Sequence, residues 1–370
     1  MQQWFDYWKK FNRPIVLGEG NPASPWWGIG EALGEEEERN KTPFYRETPA
    51  GSLFRAMLDQ ARVNPSALFI TNIYPIRPPM NKIDRLAEYG VDLVEAIGEF
   101  NKFFQRYHPR RSLAMGNTAL QALTGKVGIE EWRGSPFGTS WKGWIIPTLY
   151  PSNIQSKFDT TAKKEEFGSS KYTYGSGRMS IVLDMSKCFG WPSLEPPDMD
   201  IRTSYDPIEA IEWLESWAAR TDQPLVFDIE TKGRYIDIIG FAGSSKEAWV
   251  YPLSKKAWGF YHYNRFDAAL RGILANHRKL VGQNAVFDSA MLAYSGYHVA
   301  PLWFDTRVAH SWVYPDLPSD LHYMVSVYTT HPYYKWMINT DRFFYNGLDC
   351  CLTYAVMDVL DKRILKMEGG

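Results

Sequence analysis

The chain has 370 residues, of which 45% are hydrophobic and 22% charged, with a formal net charge of -1. That balance supplies enough apolar material for two ordinary domains and excludes both a disordered chain and a uniformly basic DNA-coating protein. It leaves nucleic acid open as a partner, because local carboxylates that hold a metal offset the basic residues that meet phosphates.

In chain order, IVLGEG is an apolar run ending in glycine, followed by the Gly-rich GIGEALGEEEERN. A helical pattern follows through Leu53, Phe54, Met57 and Leu58, then ALFITNIYP reads as a second strand after IVLGEG. A long helix is predicted from about Arg85 to Tyr107, SLAMG as a strand, NTALQALTG as a helix ending at Gly125, and GWIIPTLYPS as a further strand. Strands alternating with helices imply a parallel α/β sheet with ligand sites at the strand C-terminal ends. The stretch from about Ser156 to Gly177, rich in Lys, Ser, Thr and Gly, reads as a mobile, weakly basic loop.

Residues 1–190 therefore form a first domain, 191–207 a proline-rich and acidic linker, and 208–370 a second domain. The second opens with a helix from about Ile208 to Arg220, with Ile211, Leu214 and Trp217 on one face. PLVFDIET is then a strand, with IDIIGFAG and AWVYPL as antiparallel partners. RFDAALRGILANH, FDSAMLAYSG and YNGLDCCLTYAVMDVL are helical, so a mixed sheet with helices packed around it is expected.

Only Cys188, Cys350 and Cys351 occur, too few for a disulfide framework or zinc ribbon, and no iron–sulfur cluster is expected. A reducing compartment fits. No apolar run is long enough to span a bilayer, and MQQWFDYWKKFNRP lacks a signal-peptide core, so no membrane partner and a cytoplasmic location are expected. His310, His322 and His331 have no ligand spacing and suit packing or surface roles.

Asp228 and Glu230, two apart on a strand, point to one face, a hard-oxygen arrangement suited to Mg²⁺ or Mn²⁺. A D-x-E alone equally suits a solvated sheet edge. Asn284 and Asp288 follow in GQNAVFD, and Tyr345 and Asp349 share a helical face in YNGLD.

This ordered set resembles the 3′–5′ exonucleases of the DEDD superfamily, tyrosine subgroup, nearest to the proofreading domain of family A DNA polymerases. The resemblance covers roughly Pro224 to the C-terminus and implies a ribonuclease-H-like fold. It makes Asp228, Glu230, Asp288 and Asp349 carboxylates of a two-metal site and Tyr345 the residue that orients the attacking water. Asn284 would support the site through substrate or through contacts behind the metal ligands, and Asp305 would cap a helix. Single-stranded DNA 3′ ends would be the substrate.

The earlier words GEALGEEEERNKTPF, FITNIYPIRPP, LAMGNTALQALTG and IIPTLYPSNI resemble the uracil-DNA glycosylase superfamily, nearest to its iron–sulfur branch, over about residues 14 to 155. By that resemblance Glu31 holds a hydrolytic water, Phe44 stacks on a flipped base and Asn72 reads the base's polar edge. Taken alone, Phe44 equally suits a core and Asn72 a turn. The family's usual His-Pro-Ser is Tyr150-Pro151-Ser152 here, its first-motif proline is Leu33, and the cluster cysteines are absent. A tyrosine donates a hydrogen bond but supplies no cation near neutral pH. An active glycosylase, a non-catalytic binder of uracil or single-stranded DNA, and a structural element all remain open for this domain.

The two domains in this order resemble the N-terminal part of phage family A DNA polymerases. The sequence ends at KMEGG, shortly after the third exonuclease motif. The polymerase is therefore expected as a separate subunit or as a domain following a shortened chain; the rival expectations are a stand-alone repair nuclease with an active uracil-DNA glycosylase, or a non-catalytic DNA-binding scaffold.

Overall fold

The computed structural model describes residues 1–155 and 174–369. The chain divides into two compact units, one made of Met1–Pro196 with Thr330–Tyr333, the other of Pro197–Thr329 with Tyr334–Gly370.

The first unit is built on a five-stranded sheet. Its strands are β1 (Trp26–Ala32), β2 (Leu68–Tyr74), β3 (Arg111–Met115), β4 (Phe137–Gly138) and β5 (Trp144–Thr148), in the order β2-β1-β3-β5-β4. All neighbours are parallel except β4, which runs against β5. Helices cover the sheet, so β2 is buried at every position and reads as a continuous apolar run with only Thr71 and Asn72 polar. The first strand is WWGIGEA, not the expected IVLGEG, which contributes one isolated bridge between Glu19 and Ile70. Trp27 and Ile29 alternate into the core from β1.

The core on one side of this sheet is aromatic. Trp4 stacks on Phe103 at 4.4 Å between ring centres and meets Phe100 edge-on at 5.6 Å, while Trp27 packs against Phe69 at 4.7 Å. The single long helix expected at Arg85–Tyr107 is two elements: a 3-10 turn Ile83–Tyr89 and a helix Leu93–Tyr107. Gly90 at φ +78° ends the first, and the Asp92 carboxylate caps the second. The expected helix after SLAMG runs Gly116–Thr124 and stops at Gly125. Most of the stretch expected to be a mobile loop lies outside the described residues; its end, from Tyr174, starts the helix Tyr174–Gly190.

The second unit carries a six-stranded sheet: β6 (Asp200–Thr203), β7 (Leu225–Lys232), β8 (Tyr235–Ala242), β9 (Glu247–Pro252), β10 (Leu280–Gly282) and β11 (Phe304–Asp305), in the order β11-β10-β7-β8-β9-β6. β7, β8 and β9 are antiparallel, and the outer pairs are parallel. The expected linker is thus partly structured, since β6 lies inside it and pairs with β9 through the register Asp200↔Glu247. Helix Pro207–Ala218 buries Ile211, Leu214 and Trp217, as its spacing predicts. The long helix Arg342–Glu368 packs across β7, β8 and β9. Among the described residues, no helix is long and apolar enough to cross a membrane. Cys188, Cys350 and Cys351 are free and buried.

Candidate functional site

In the second unit, three carboxylates converge. Asp228 and Glu230 alternate to one face of β7, and the long C-terminal helix brings Asp349 onto that face. Ligand oxygens from Asp228, Glu230 and Asp349 all lie within 4.8 Å of one another. Asp288, in the first turn of helix Val286–Tyr294, is buried beside them, and its carboxylate accepts the Ile229 backbone N–H.

Crowding four acids in a buried place costs energy unless protons or a cation offset the charge. Burial, and then the neighbouring charge of Asp349, raises Glu230 to about 7. Burial likewise raises Asp228, with repulsion from Asp349, Asp288 and Glu230 added. Burial raises Asp288 and Asp349 too, although the phenol of Tyr334 and the Lys335 ammonium counteract it at Asp349. Such a set of hard oxygens fits Mg²⁺ or Mn²⁺ and does not fit a soft metal.

Tyr345 is buried one helical turn before Asp349 and hydrogen-bonds to it. Asn284 is exposed at φ +55°, and its side-chain oxygen accepts from Arg307 at 2.8 Å. Asp305 caps helix Thr306–Val313 through the Arg307 and Val308 N–H groups, the role its position suggested. His310 is buried with Nδ1 2.7 Å from the Tyr328 hydroxyl, a packing position.

In the first unit, four residues gather at the C-terminal ends of the parallel strands, where a doubly wound sheet opens. Glu31 lies on β1, Asn72 on β2, and Tyr150 just after β5; Phe44 sits on the loop following helix Glu35–Asn40. Asn72 is in a strand and not in a turn. It is 1% exposed, and among the described residues neither atom of its amide has a hydrogen-bond partner. Its neighbour in the β1–β2 register is Gly30, where an added Cβ would overlap the Asn72 amide oxygen and come within 2.8 Å of Phe44 Cζ. Only glycine leaves room there.

Phe44 is also buried, its ring centre 4.7 Å from Phe54 and 5.9 Å from Tyr150. It adopts φ +49°, a costly backbone for a bulky residue. Glu37 holds it there: its carboxylate accepts the Phe44 N–H at 2.5 Å and the Gly34 N–H at 2.6 Å. The Glu31 carboxylate accepts the Thr118 hydroxyl. Tyr150 is pushed well above the ordinary phenol range by burial and then by the charges of Glu37 and Glu31, so it remains a neutral donor.

Residues 17–168 match the family described as the uracil DNA glycosylase superfamily. A type-4 uracil-DNA glycosylase of Thermotoga maritima is 32% identical over 147 residues, spanning 38% of this chain and 71% of that protein. The chain belongs to the uracil DNA glycosylase superfamily. A second type-4 uracil-DNA glycosylase, from Pyrobaculum aerophilum, is 28% identical over 186 residues, 48% of this chain and 90% of the relative. A solved structure described as the POL domain of Pol1 from M. smegmatis in complex with DNA primer-template and dNTP aligns with TM-score 0.37 and 15% identity. It covers 45% of this chain and 28% of the other.

Membership of the uracil DNA glycosylase superfamily makes the departures concrete. Leu33 is buried at 2% exposure, and the Tyr150 ring packs 5.9 Å from that of Phe44. Several residues now at the two sites escaped the sequence. Glu37 carries the spacing of a helix-start box, three residues after Gly34, which was a usable signal. Asn346, Tyr334 and Arg342 carried none, because their partners Asp228, Asp349 and Asp237 are distant or unmarked in the chain.

Proposed function

We propose that this protein is a DNA-repair hydrolase that removes uracil from DNA with its first unit and cleaves phosphodiester bonds at a 3′ end with its second. The observation that carries the glycosylase reading is Asn72, a buried amide with no hydrogen-bond partner among the described residues, which meets Phe44 across Gly30. An unpaired buried amide is costly, and a pyrimidine edge with complementary donor and acceptor satisfies it. That the relatives are named type-4 uracil-DNA glycosylases supports the same substrate.

In this reading an extruded uracil lies against Phe44 with its polar edge on Asn72. Glu31 accepts a proton from the water that attacks C1′ of the sugar. The C1′–N1 bond breaks, and the bonding electrons leave with uracil as an anion. Tyr150 donates a hydrogen bond to the oxygen on which that charge collects, stabilising it without a cation. Release of free uracil from a uracil-containing single-stranded oligonucleotide, lost in Asn72→Ala, is the expected result. No uracil release, together with equal binding of uracil- and thymine-containing DNA, would refute it.

The nuclease reading rests on the convergence of Asp228, Glu230 and Asp349 within 4.8 Å, with Asp288 alongside. These residues would hold a divalent metal ion, which supplies charge neutralisation at a phosphate and acidifies a water. Tyr345 would position the attacking water through its hydroxyl, and Asn284 with Arg307 would meet substrate phosphate. Asp228→Ala is expected to abolish Mg²⁺-dependent degradation of single-stranded DNA with uracil release intact; digestion at the wild-type rate would sink the reading. We assign repair in preference to proofreading because a uracil pocket gives the chain its own lesion to recognise. Strong nuclease activity of the chain alone supports that choice, whereas activity that requires an added polymerase favours the proofreading role.

A further inference from the structure

Two carboxylates of the cluster accept hydrogen bonds from uncharged, buried donors. Asn346 Nδ2 donates to Asp228 Oδ2 at 2.7 Å, and the Tyr334 hydroxyl donates to Asp349 Oδ1. Both donors are fully buried. Asn346 reaches Asp228 because the β7–β8 register sets Gly240 opposite Asp228, and the amide of Asn346 packs directly against the bare Gly240 Cα. Any side chain at position 240 would collide with Asn346 and Cys350 Sγ.

We infer that Asn346 and Tyr334 are positioning residues that orient Asp228 and Asp349 for a divalent cation, an inference that rests on the nuclease reading. The physical reason lies in their neutrality. A carboxylate has about four lone-pair directions, so one donor at Asp228, or the two phenols of Tyr334 and Tyr345 at Asp349, fix its rotation and leave other directions for a metal. A cation in the same place would orient it equally well but cancel the charge that binds the metal. The guanidinium of Arg342 is engaged mainly elsewhere: it pairs with Asp237 at 2.6 Å and the Thr231 carbonyl at 3.1 Å, and reaches Glu230 only at 3.9 Å. Outer partners of this kind typically contribute tenfold or more to metal affinity.

The test is Mn²⁺ titration of the full chain followed by electron paramagnetic resonance of the free ion, on the wild type, Asp228→Ala, Asn346→Leu and Tyr334→Phe. Asn346→Leu and Tyr334→Phe are each expected to weaken Mn²⁺ binding about tenfold. Their nuclease rate should recover at high Mn²⁺, whereas Asp228→Ala should not recover. Asn346→Ser, which keeps a donor, should regain part of the affinity. If the wild type binds Mn²⁺ and Asp228→Ala does not, but both positioning variants bind as tightly as the wild type, this inference alone falls. If Asp228→Ala binds as well as the wild type, or the wild type binds nothing, the nuclease reading falls and takes the inference with it. Tyr334→Phe removes a single oxygen and serves as the deciding variant should Asn346→Leu fail to fold.

Discussion

The carboxylate of Asp305 accepts the backbone N–H of Asn284 at 3.1 Å, tying the end of β11 to the turn that launches the helix bearing Asp288. The same carboxylate accepts from Ala285 at 3.0 Å and Arg307 at 2.8 Å, so one side chain caps a helix and fixes a left-handed turn at Asn284. Asp305→Ala is expected to lose about 2 kcal/mol of stability, since it removes a cap and further charge-assisted bonds. Nuclease activity should fall with it, as Asp288 shifts. Urea unfolding checks the first effect, and an unchanged midpoint would contradict it.

Asn72→Ala separates function from stability in the first unit. The substitution removes an amide that has no partner among the described residues, so the desolvation cost disappears with it. Thermal unfolding should be unchanged or shifted upward, while uracil release falls by two orders of magnitude or more. A large drop in melting temperature would mean that Asn72 serves the fold instead.

In the proposed reaction Tyr150 would supply a neutral hydrogen bond to the departing uracil, and histidine at the same place would add a positive charge. Tyr150→His is expected to raise uracil release, and Tyr150→Phe to lower it by about tenfold or more, the scale of one lost transition-state donor. Single-turnover rates on a uracil oligonucleotide would show both. Equal rates in all three proteins would remove Tyr150 from the chemistry.

Arg133 and Asp184 form a bidentate ion pair with each partner only 1% exposed, and Thr148 donates to the same carboxylate at 2.7 Å. Lys187 lies buried beside them, its ammonium donating to the Gly134 carbonyl at 2.6 Å and pushed down to about 7 by burial. Removing the acid takes away the buried carboxylate that the Arg133 guanidinium and the Thr148 hydroxyl both meet. Asp184→Ala is expected to cost about 3–5 kcal/mol in urea unfolding; a loss below about 1 kcal/mol would contradict the burial argument.

His310 contributes pH dependence. Burial lowers it from the ordinary histidine value to about 4, so it stays neutral in the folded chain. Between those two values the unfolded chain binds the extra proton, so the stability due to neutral His310 is present above about 6.5 and is lost as pH falls toward 4. From pH 7.5 to 5 this residue should remove about 2 kcal/mol of stability, and His310→Asn should flatten that part of the slope. Parallel pH curves for the two proteins would assign the acid sensitivity elsewhere.

Much of the architecture was legible in the chain. The alternation of strands and helices gave the parallel sheet of the first unit, and FDIET followed by two β-rich runs gave the antiparallel core of the second, because these signals are local periodicities. The four acids could be named from order and spacing. Their meeting could not. Asp349 reaches Asp228 and Glu230 only because a long helix lies across β7, β8 and β9, a matter of packing between segments more than a hundred residues apart.

The misreadings share a cause. IVLGEG is as apolar as a strand yet forms a single bridge, while WWGIGEA, with two glycines, is central, because helices cover both faces of the sheet. The proline-rich stretch contains β6 because the edge of β9 offered it unpaired backbone groups, and no local propensity records such an offer. Sequence by itself determined which chemical groups the protein owns and roughly which elements carry them. Tertiary structure decided which of them are desolvated together: the amide of Asn72 beside Gly30, with no partner among the described residues, and the uncharged grip of Asn346 on Asp228. Burial and close approach are properties of the packed chain, and they are what change a carboxylate or an amide from a solvated side chain into a site.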